Sequence, residues 1–320
     1  MGEPVVRALV ARGDRVTALA RDAAGAERMR RLGASPLKGV VEDPRLWDAL
    51  PQTDGIMHVA ALVAARAPWP RFFQVNTEGT RLAAAAARRL GVRLVHVSSV
   101  AVYGRQAADD PPGSRNEHSP FGPIAQHDFY ARSKRLAEEM VRAEVALGLD
   151  AVILRPCVVY GAGDRLFLPR LARIARRGWL PRIGPGTAPL ALVHAESVAA
   201  AALLALDTPG ASRRIYQVTN DGDVTAAELV AGIAEGLGRR VRTVPLPEGA
   251  ALALAGGLQI ALRVVGPGLY PGTITGAVRF WRGGNPYTSA RAGEELGWRP
   301  MVPHQRRIAA LVRDWFRSDG

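Results

Sequence analysis

Short apolar runs alternate with longer stretches in which alanine and leucine recur at helical spacing through the first half of the chain. The runs at 15–20, 55–60, 94–98 and 151–154 have the length and flanking turn residues of strands. The stretches at 3–12, 23–32, 79–90 and 130–147 carry an apolar stripe with arginines on the opposite side, the pattern of helices that cover a sheet. Regular alternation of the two predicts an α/β fold: a doubly wound parallel sheet with helices on both faces. After Gly161 proline and glycine become frequent and no long strand series follows, which predicts a smaller second domain. The expected division is 1–160, with the sheet completed by 190–220, and 161–189 together with 221–320. Within 190–220 the returns to the sheet are expected at 192–206 and 215–219. The longest loop predicted is 105–128, and loops of that length inside compact domains usually carry function.

Composition narrows the function. A chain of 320 residues with 48% hydrophobic content can bury a sizeable core. The net charge of +13 raises polyanion binding. Its arginines are spread over every segment, as at Arg28, Arg30 and Arg31 or Arg170, Arg173, Arg176 and Arg177, so no nucleic-acid partner is expected. Cys157 is the sole cysteine, which excludes an intrachain disulfide and a cysteine-built metal cluster and points to a reducing, cytoplasmic setting. The most apolar stretch, 250–265, is interrupted by Gly256, Gly257 and Arg263, so a buried or substrate-facing helix is expected there rather than a membrane span.

Among forty arginines only two lysines occur, Lys38 and Lys134, and Lys134 follows Tyr130 by four residues at the head of a predicted helix. Residues i and i+4 share a helix face, so phenol and ammonium point the same way. A free tyrosine, with a pKa of about 10, is a poor base near neutrality, and a neighbouring cation favours its phenolate; a lowering of about 3 units needs roughly 4 kcal/mol. A compact ammonium can supply that field and still donate to two ribose hydroxyls, which a planar guanidinium does less well.

Two further segments are alike. Residues 94–98 run into Ser98-Ser99-Val100-Ala101-Val102-Tyr103-Gly104, and residues 151–154 run into Arg155-Pro156-Cys157-Val158-Val159-Tyr160-Gly161. With His58-Val59-Ala60-Ala61, Asn76-Thr77-Glu78-Gly79-Thr80, Arg291-Ala292 and Glu295-Leu296-Gly297-Trp298-Arg299-Pro300, the order resembles the extended short-chain dehydrogenase/reductase family, also called the NAD-dependent epimerase/dehydratase family. The resemblance implies a Rossmann-like dinucleotide-binding domain over 1–160 and a smaller C-terminal substrate domain. It also implies that Ser99 hydrogen-bonds the substrate oxygen, that Tyr130 exchanges its proton, and that Lys134 holds the nicotinamide ribose. Gly2, Arg21, Ala60, Asn76, Pro156 and Val159 are the further cofactor-binding positions it implies. Ser98 is expected to be a strand-end hydrogen-bonding residue, His58 a half-buried strand residue beside the cofactor, and His194 a structural residue at a strand-to-helix junction. A homodimer through helices 79–90 and 130–147 is implied as well.

Departures from the family refine the expectation. Gly2 aligns with the third glycine of the usual phosphate turn, so about ten preceding residues, including a strand, are expected in a longer product. The position that is acidic in NAD-specific members is Ala20, followed by Arg21, which favours NADP(H); Asp22 keeps NAD open. Val100-Ala101 stand where sugar-nucleotide dehydratases have Asp-Glu, and Val158 stands where 4-epimerases commonly have asparagine. The apolar residues of 250–265, Leu269 to Gly272 and Val278 to Trp281, with the likeness of 273–300 to 3β-hydroxysteroid dehydrogenase-like and flavanonol reductase-like members, imply a sterol- or flavonoid-like small molecule. The expected activity is interconversion of a secondary alcohol and a ketone. A nucleotide-sugar epimerase with bound NAD and a non-catalytic binding protein on the same fold are the alternatives.

Overall fold

The computed structural model describes the chain apart from residues 64–66, 105–109, 165, 221–223, 266–273, 301–303 and 319–320. Helix α1 (Gly2–Arg12) buries Pro4, Val5 and Val6 and ends at Gly13, whose φ of 96° is the left-handed conformation open to glycine. There follow β1 (Thr17–Ala20), α2 (Ala23–Arg31), β2 (Ser35–Lys38), α3 (Pro44–Asp48), β3 (Gly55–His58), α4 (Trp69–Phe72) and a π-helical turn, Phe73–Glu78. Next come α5 (Gly79–Leu90), β4 (Arg93–Val97), a 3₁₀ turn at Val100–Tyr103, α6 (Phe129–Ala146) and β5 (Ala151–Pro156). The remainder comprises β6 (Val158–Tyr160), α7 (Leu168–Ala175), β7 (Trp179–Ile183), β8 (Leu192–His194), α8 (Ala195–Asp207), β9 (Ile215–Val218), α9 (Ala226–Gly236), β10 (Arg242–Leu246), α10 (Glu248–Val265), α11 (Ile274–Arg282), α12 (Ala290–Leu296) and α13 (His304–Ser318).

The main sheet has the order β3-β4-β5-β9, with every pairing parallel. Its alternating residues separate into two cores, as the two-residue period of a strand requires. Val95, Val97, Val152 and Leu154 pack with the alanines of α8 and with Trp298, whereas Leu94, Ala151 and Ile153 pack with Ala83, Ala84, Ala87 and Val141 of α5 and α6. The sheet is therefore doubly wound, and β5 is buried along its whole length. β1 pairs with β2 in a separate two-stranded parallel sheet.

Several elements differ from expectation. The segment 192–206 does not return to the main sheet: Leu192–His194 pairs with β6, and Ala195–Asp207 is helix α8. Its alanines are the strongest helix formers and lie on the face that packs beneath the sheet. Three short parallel strand pairs were not foreseen in full, because β2, β6, β7, β8 and β10 are only three to five residues long and three of them, β2, β7 and β10, carry proline inside. Helix α10 is buried on one side only: Ala251 and Ala255 face Ile183 and Val278, while Leu254, Leu258 and Ile260 are exposed. The stretch Leu269 to Gly272 and the start of the 105–128 loop lie outside the described residues. Among those described, no helix is long and apolar enough to cross a membrane.

Candidate active site

Ser99 ends the extended run of β4, with φ −165° and ψ 151°, and its Oγ accepts a hydrogen bond from Ala101 N at 3.2 Å, capping the 3₁₀ turn. Helix α6 starts against this strand end. Asp128 caps it by accepting from Ala131 N at 3.1 Å, which leaves Tyr130 in the first turn. The Ser99 hydroxyl lies near enough to the Tyr130 phenol to favour its ionised form. One turn further, Lys134 is buried to 1% exposure and its Nζ donates to Val97 O at 2.7 Å. Tyr130 and Lys134 thus lie one turn apart on α6, and the ammonium is bonded to the end of β4.

Their electrostatics depart from the prediction. The expected lowering of the Tyr130 pKa is not found: burial pushes the phenol upward, Ser99 opposes this, and Asp128 adds to it. The Lys134 amine is turned to the Val97 carbonyl, and its own pKa falls to about 8 because burial disfavours the cation, with Glu138 pulling the other way. Tyr130 is accordingly a protonated phenol near neutrality.

Beneath the pair lies a polar network that the sequence reading did not assign. Glu138, one turn beyond Lys134, accepts from Ser98 Oγ at 2.7 Å and takes the Arg155 fork through Nε at 2.9 Å and Nη2 at 2.6 Å. Arg155 Nη1 donates to the Tyr103 hydroxyl at 2.7 Å, and Gln217 Nε2 donates to the same oxygen at 2.8 Å. Tyr103 passes its own proton to Asn116 O at 2.9 Å. The one signal in the chain for Glu138 was its i+4 spacing from Lys134. Ser98 is the strand-end hydrogen-bonding residue that was expected.

His58 is buried at 3% exposure rather than half-buried, because β3 is covered by α5. Thr80 Oγ1 donates to Asn76 O at 2.6 Å, so it accepts from His58 Nε2–H at 3.0 Å, which assigns the tautomer. His58 stacks on His96, its register partner on β4, with centroids 5.4 Å apart. Both ring nitrogens of His96 lack a hydrogen-bond partner among the described residues. Burial followed by the Lys134 charge keeps both rings neutral, His58 with a pKa of about 3. His194 is the expected junction residue, its Nδ1 accepting from Glu196 N at 3.3 Å to cap α8.

The cofactor candidates line the C-terminal edges of parallel strands, where ligands bind in such sheets. Arg21 is exposed just past β1, Ala60 is exposed just past β3, Pro156 ends β5 and Val159 lies in β6. Gly2 opens α1, whose N-terminus has no side-chain cap, so its free N–H groups suit a pyrophosphate. A Cβ at Gly2 would meet nothing within 4 Å. Asn76 sits in the π-helical turn, a geometry often found at functional sites. Its Oδ1 accepts from Leu62 N at 2.6 Å, while its amide donates to Leu62 O at 3.0 Å and Ser133 Oγ at 2.9 Å. Both amide hydrogens are committed, so Asn76 shapes the segment that carries Ala60 and ties it to α6. Asp22 caps α2 by accepting from Gly25 N at 2.6 Å. The uncapped N-terminus of α1 and the exposed Arg21 are the groups here that fit the phosphates of a dinucleotide.

A cleft of about 500 Å³ lies at the head of α6, lined by Gln126, His127, Phe129 and Arg132. The Arg132 guanidinium lies 4.2 Å over the Trp69 ring, and Gln259 of α10 reaches His127 at 3.5 Å.

Comparison with known proteins agrees with this arrangement. The family model described as NAD dependent epimerase/dehydratase family matches residues 1–219. The chain is similar to a 4-hydroxy-2-methyl-3-oxo-4-farnesyl-3,4-dihydroquinoline-1-oxide ketoreductase of Stigmatella aurantiaca, 30% identical over 97% of this chain and 92% of that one. It is similar to sterol demethylase protein B of Methylococcus capsulatus, 30% identical over 100% of this chain and 96% of that one. Among solved structures, a short-chain dehydrogenase/reductase superfamily protein of Agrobacterium tumefaciens with bound NAD matches with a TM-score of 0.70 and 24% identity, over 99% of this chain and 94% of that one.

Proposed function

The chain belongs to the NAD-dependent epimerase/dehydratase family and is an enzyme of the extended short-chain type, and on that premise we propose that it reduces a ketone on a hydrophobic small molecule, with NADPH as the preferred donor. The observation that carries the reading is the placing of Tyr130 in the first turn of α6 beside Ser99, with burial pushing its phenol pKa upward so that it keeps its proton. A substrate carbonyl oxygen accepting from Ser99 Oγ and Tyr130 O–H would be polarised, and as negative charge develops on it the phenol proton moves to it. The nicotinamide, when bound, supplies the hydride. Lys134 would hold the ribose and, as a cation, ease the charge left on Tyr130.

Support for a hydrophobic substrate comes from the apolar character of α10 beside the cleft and from the farnesylated and sterol compounds named for two relatives. Support for NADPH comes from the first turn after β1. The Asp22 carboxylate is occupied in capping α2 and is poorly placed to accept from ribose hydroxyls, whereas Arg21 is exposed and suited to a 2′-phosphate.

The test is oxidation of NADPH or NADH in the presence of a panel of sterol ketones, long-chain 3-oxo acids and prenylated ketones, with UDP-sugars as the contrasting set. Turnover of hydrophobic ketones is expected, and Arg21→Ser should raise the Kd for NADPH roughly tenfold or more while leaving NADH nearly unchanged. Epimerisation of a UDP-sugar with tightly retained NAD would replace this reading.

A further inference from the structure

Lys134 and Glu138 are each 1% exposed and lie one turn apart on α6. The groups that act on the Lys134 ammonium or feel its charge are the neutral His58 of β3 and His96 of β4, and Glu138 of its own helix. Beyond Glu138 stands a second buried cation, Arg155 of β5, itself fully buried and 2.6 Å from the carboxylate; the half-exposed Arg142 reaches the same carboxylate at 3.3 Å. One buried carboxylate therefore serves two buried cations. Removing it would leave both uncompensated, an expensive arrangement in a dry interior.

We propose that Glu138 is a positioning residue that keeps Lys134 cationic and aimed at the end of β4, with Arg155 and Ser98 fixing the carboxylate for that task. The geometry supports this from three sides. The Arg155 fork binds both carboxylate oxygens, which orients the group without neutralising its whole field. Ser98 ties Oε1 to the residue preceding the candidate catalytic Ser99. The Lys134 contact to Val97 O then holds the amine against the same strand end. Three elements, β4, α6 and β5, thus converge on one carboxylate just below the proton donor. Because Lys134 has a pKa of about 8, its charge at neutral pH is sensitive to this one anion.

The inference rests on reading Lys134 as an active-site residue, but its test reads Lys134 directly and needs neither substrate nor cofactor. With only two lysines in the chain, protein labelled with 13Cε-lysine gives two lysine signals, one from exposed Lys38 and one from Lys134. The pH titration of the Lys134 signal is compared between the native chain, Glu138→Asp and Glu138→Gln. The midpoint is expected to fall by about one pH unit or more in Glu138→Gln, where the counter-charge is lost, and to stay within a few tenths in Glu138→Asp. Should Glu138→Gln fail to fold around its orphaned Arg155, the double variant Glu138→Gln with Arg155→Met removes both buried charges together and is expected to fold, with the Lys134 midpoint still below the native one. An unchanged midpoint in a folded Glu138→Gln or double variant, accompanied only by a lower melting temperature, would overturn the proposal and leave Glu138 a structural residue. Failure of the ketone assay with a shifted Lys134 midpoint would count against the reductase reading alone.

Discussion

The end of β4 and the outer face of α10 are built in opposite ways. At the strand end, Ser98, Ser99, Lys134, Glu138 and Arg155 are held by hydrogen bonds drawn from three elements. By contrast, residues 249–262 contain no charged side chain, and α10 exposes Leu254, Leu258 and Ile260 to 67%, 52% and 63%. Proton transfer tolerates little displacement, so the groups that perform it are overdetermined. Recognition of an apolar molecule depends on area and shape, and that face is left with few directional constraints. On the proposed reading, the chemistry falls to the hydrogen-bonded region and substrate choice to the apolar one.

The sharpest way to break the comparison is Tyr130→Phe. If the phenol is the proton donor, turnover should fall by about 10² to 10⁴ while the urea midpoint moves little, since only one hydroxyl is removed. Steady-state kinetics on an active ketone checks it, and retention of more than a tenth of the native rate would remove Tyr130 from the mechanism.

Acid should act on the hydrogen-bonded region as well. His58 and His194 have folded pKa values of about 3 and 4, and that of His96 lies well below its ordinary value, all through burial. Because the folded pKa values are depressed, these rings contribute fully above about pH 6.5 and that contribution is lost as pH falls towards 3 to 4. For His58 alone the loss between pH 6.5 and 4.5 is about 2 kcal/mol. Urea unfolding at pH 7 and at pH 4.5 measures it. His96→Leu, which removes a ring without a hydrogen-bond partner among the described residues, should flatten the dependence. Equal slopes in the two proteins would mean that ordinary carboxylates, not these rings, drive the acid response.

The smallest effect is expected on the apolar region. Leu258→Ser should change stability by less than about 0.5 kcal/mol, as at other exposed sites, and raise KM for a hydrophobic ketone a few-fold with kcat preserved. A loss of stability above 1 kcal/mol would show that this face is packed against something after all.

Much of the frame was readable along the chain. The four strands at 15–20, 55–60, 94–98 and 151–154 appear within two residues of their expected ends, since each is a short apolar run bounded by turn residues. The helices that flank them carry a one-sided apolar stripe and were equally plain. Ser99, Tyr130 and Lys134 were legible because local spacing brings two of them to one helix face and the resemblance supplies the third. The network below was not: Glu138 meets Arg155 across 17 residues, and Gln217 meets Tyr103 across 114. No local pattern announces such pairs, because their partners are chosen by which strands lie side by side.

By itself, the sequence determined the alternation of strand and helix and the kinds of group gathered at the strand ends, because periodicity and residue type act over a few positions. Only the tertiary structure decided which of those groups carry charge. Tyr130 is pushed up rather than down, Lys134 is brought to about 8, and Glu138 becomes the single anion between two cations. Burial and charges from distant segments control those outcomes, and both exist only once β4, α6 and β5 have packed together.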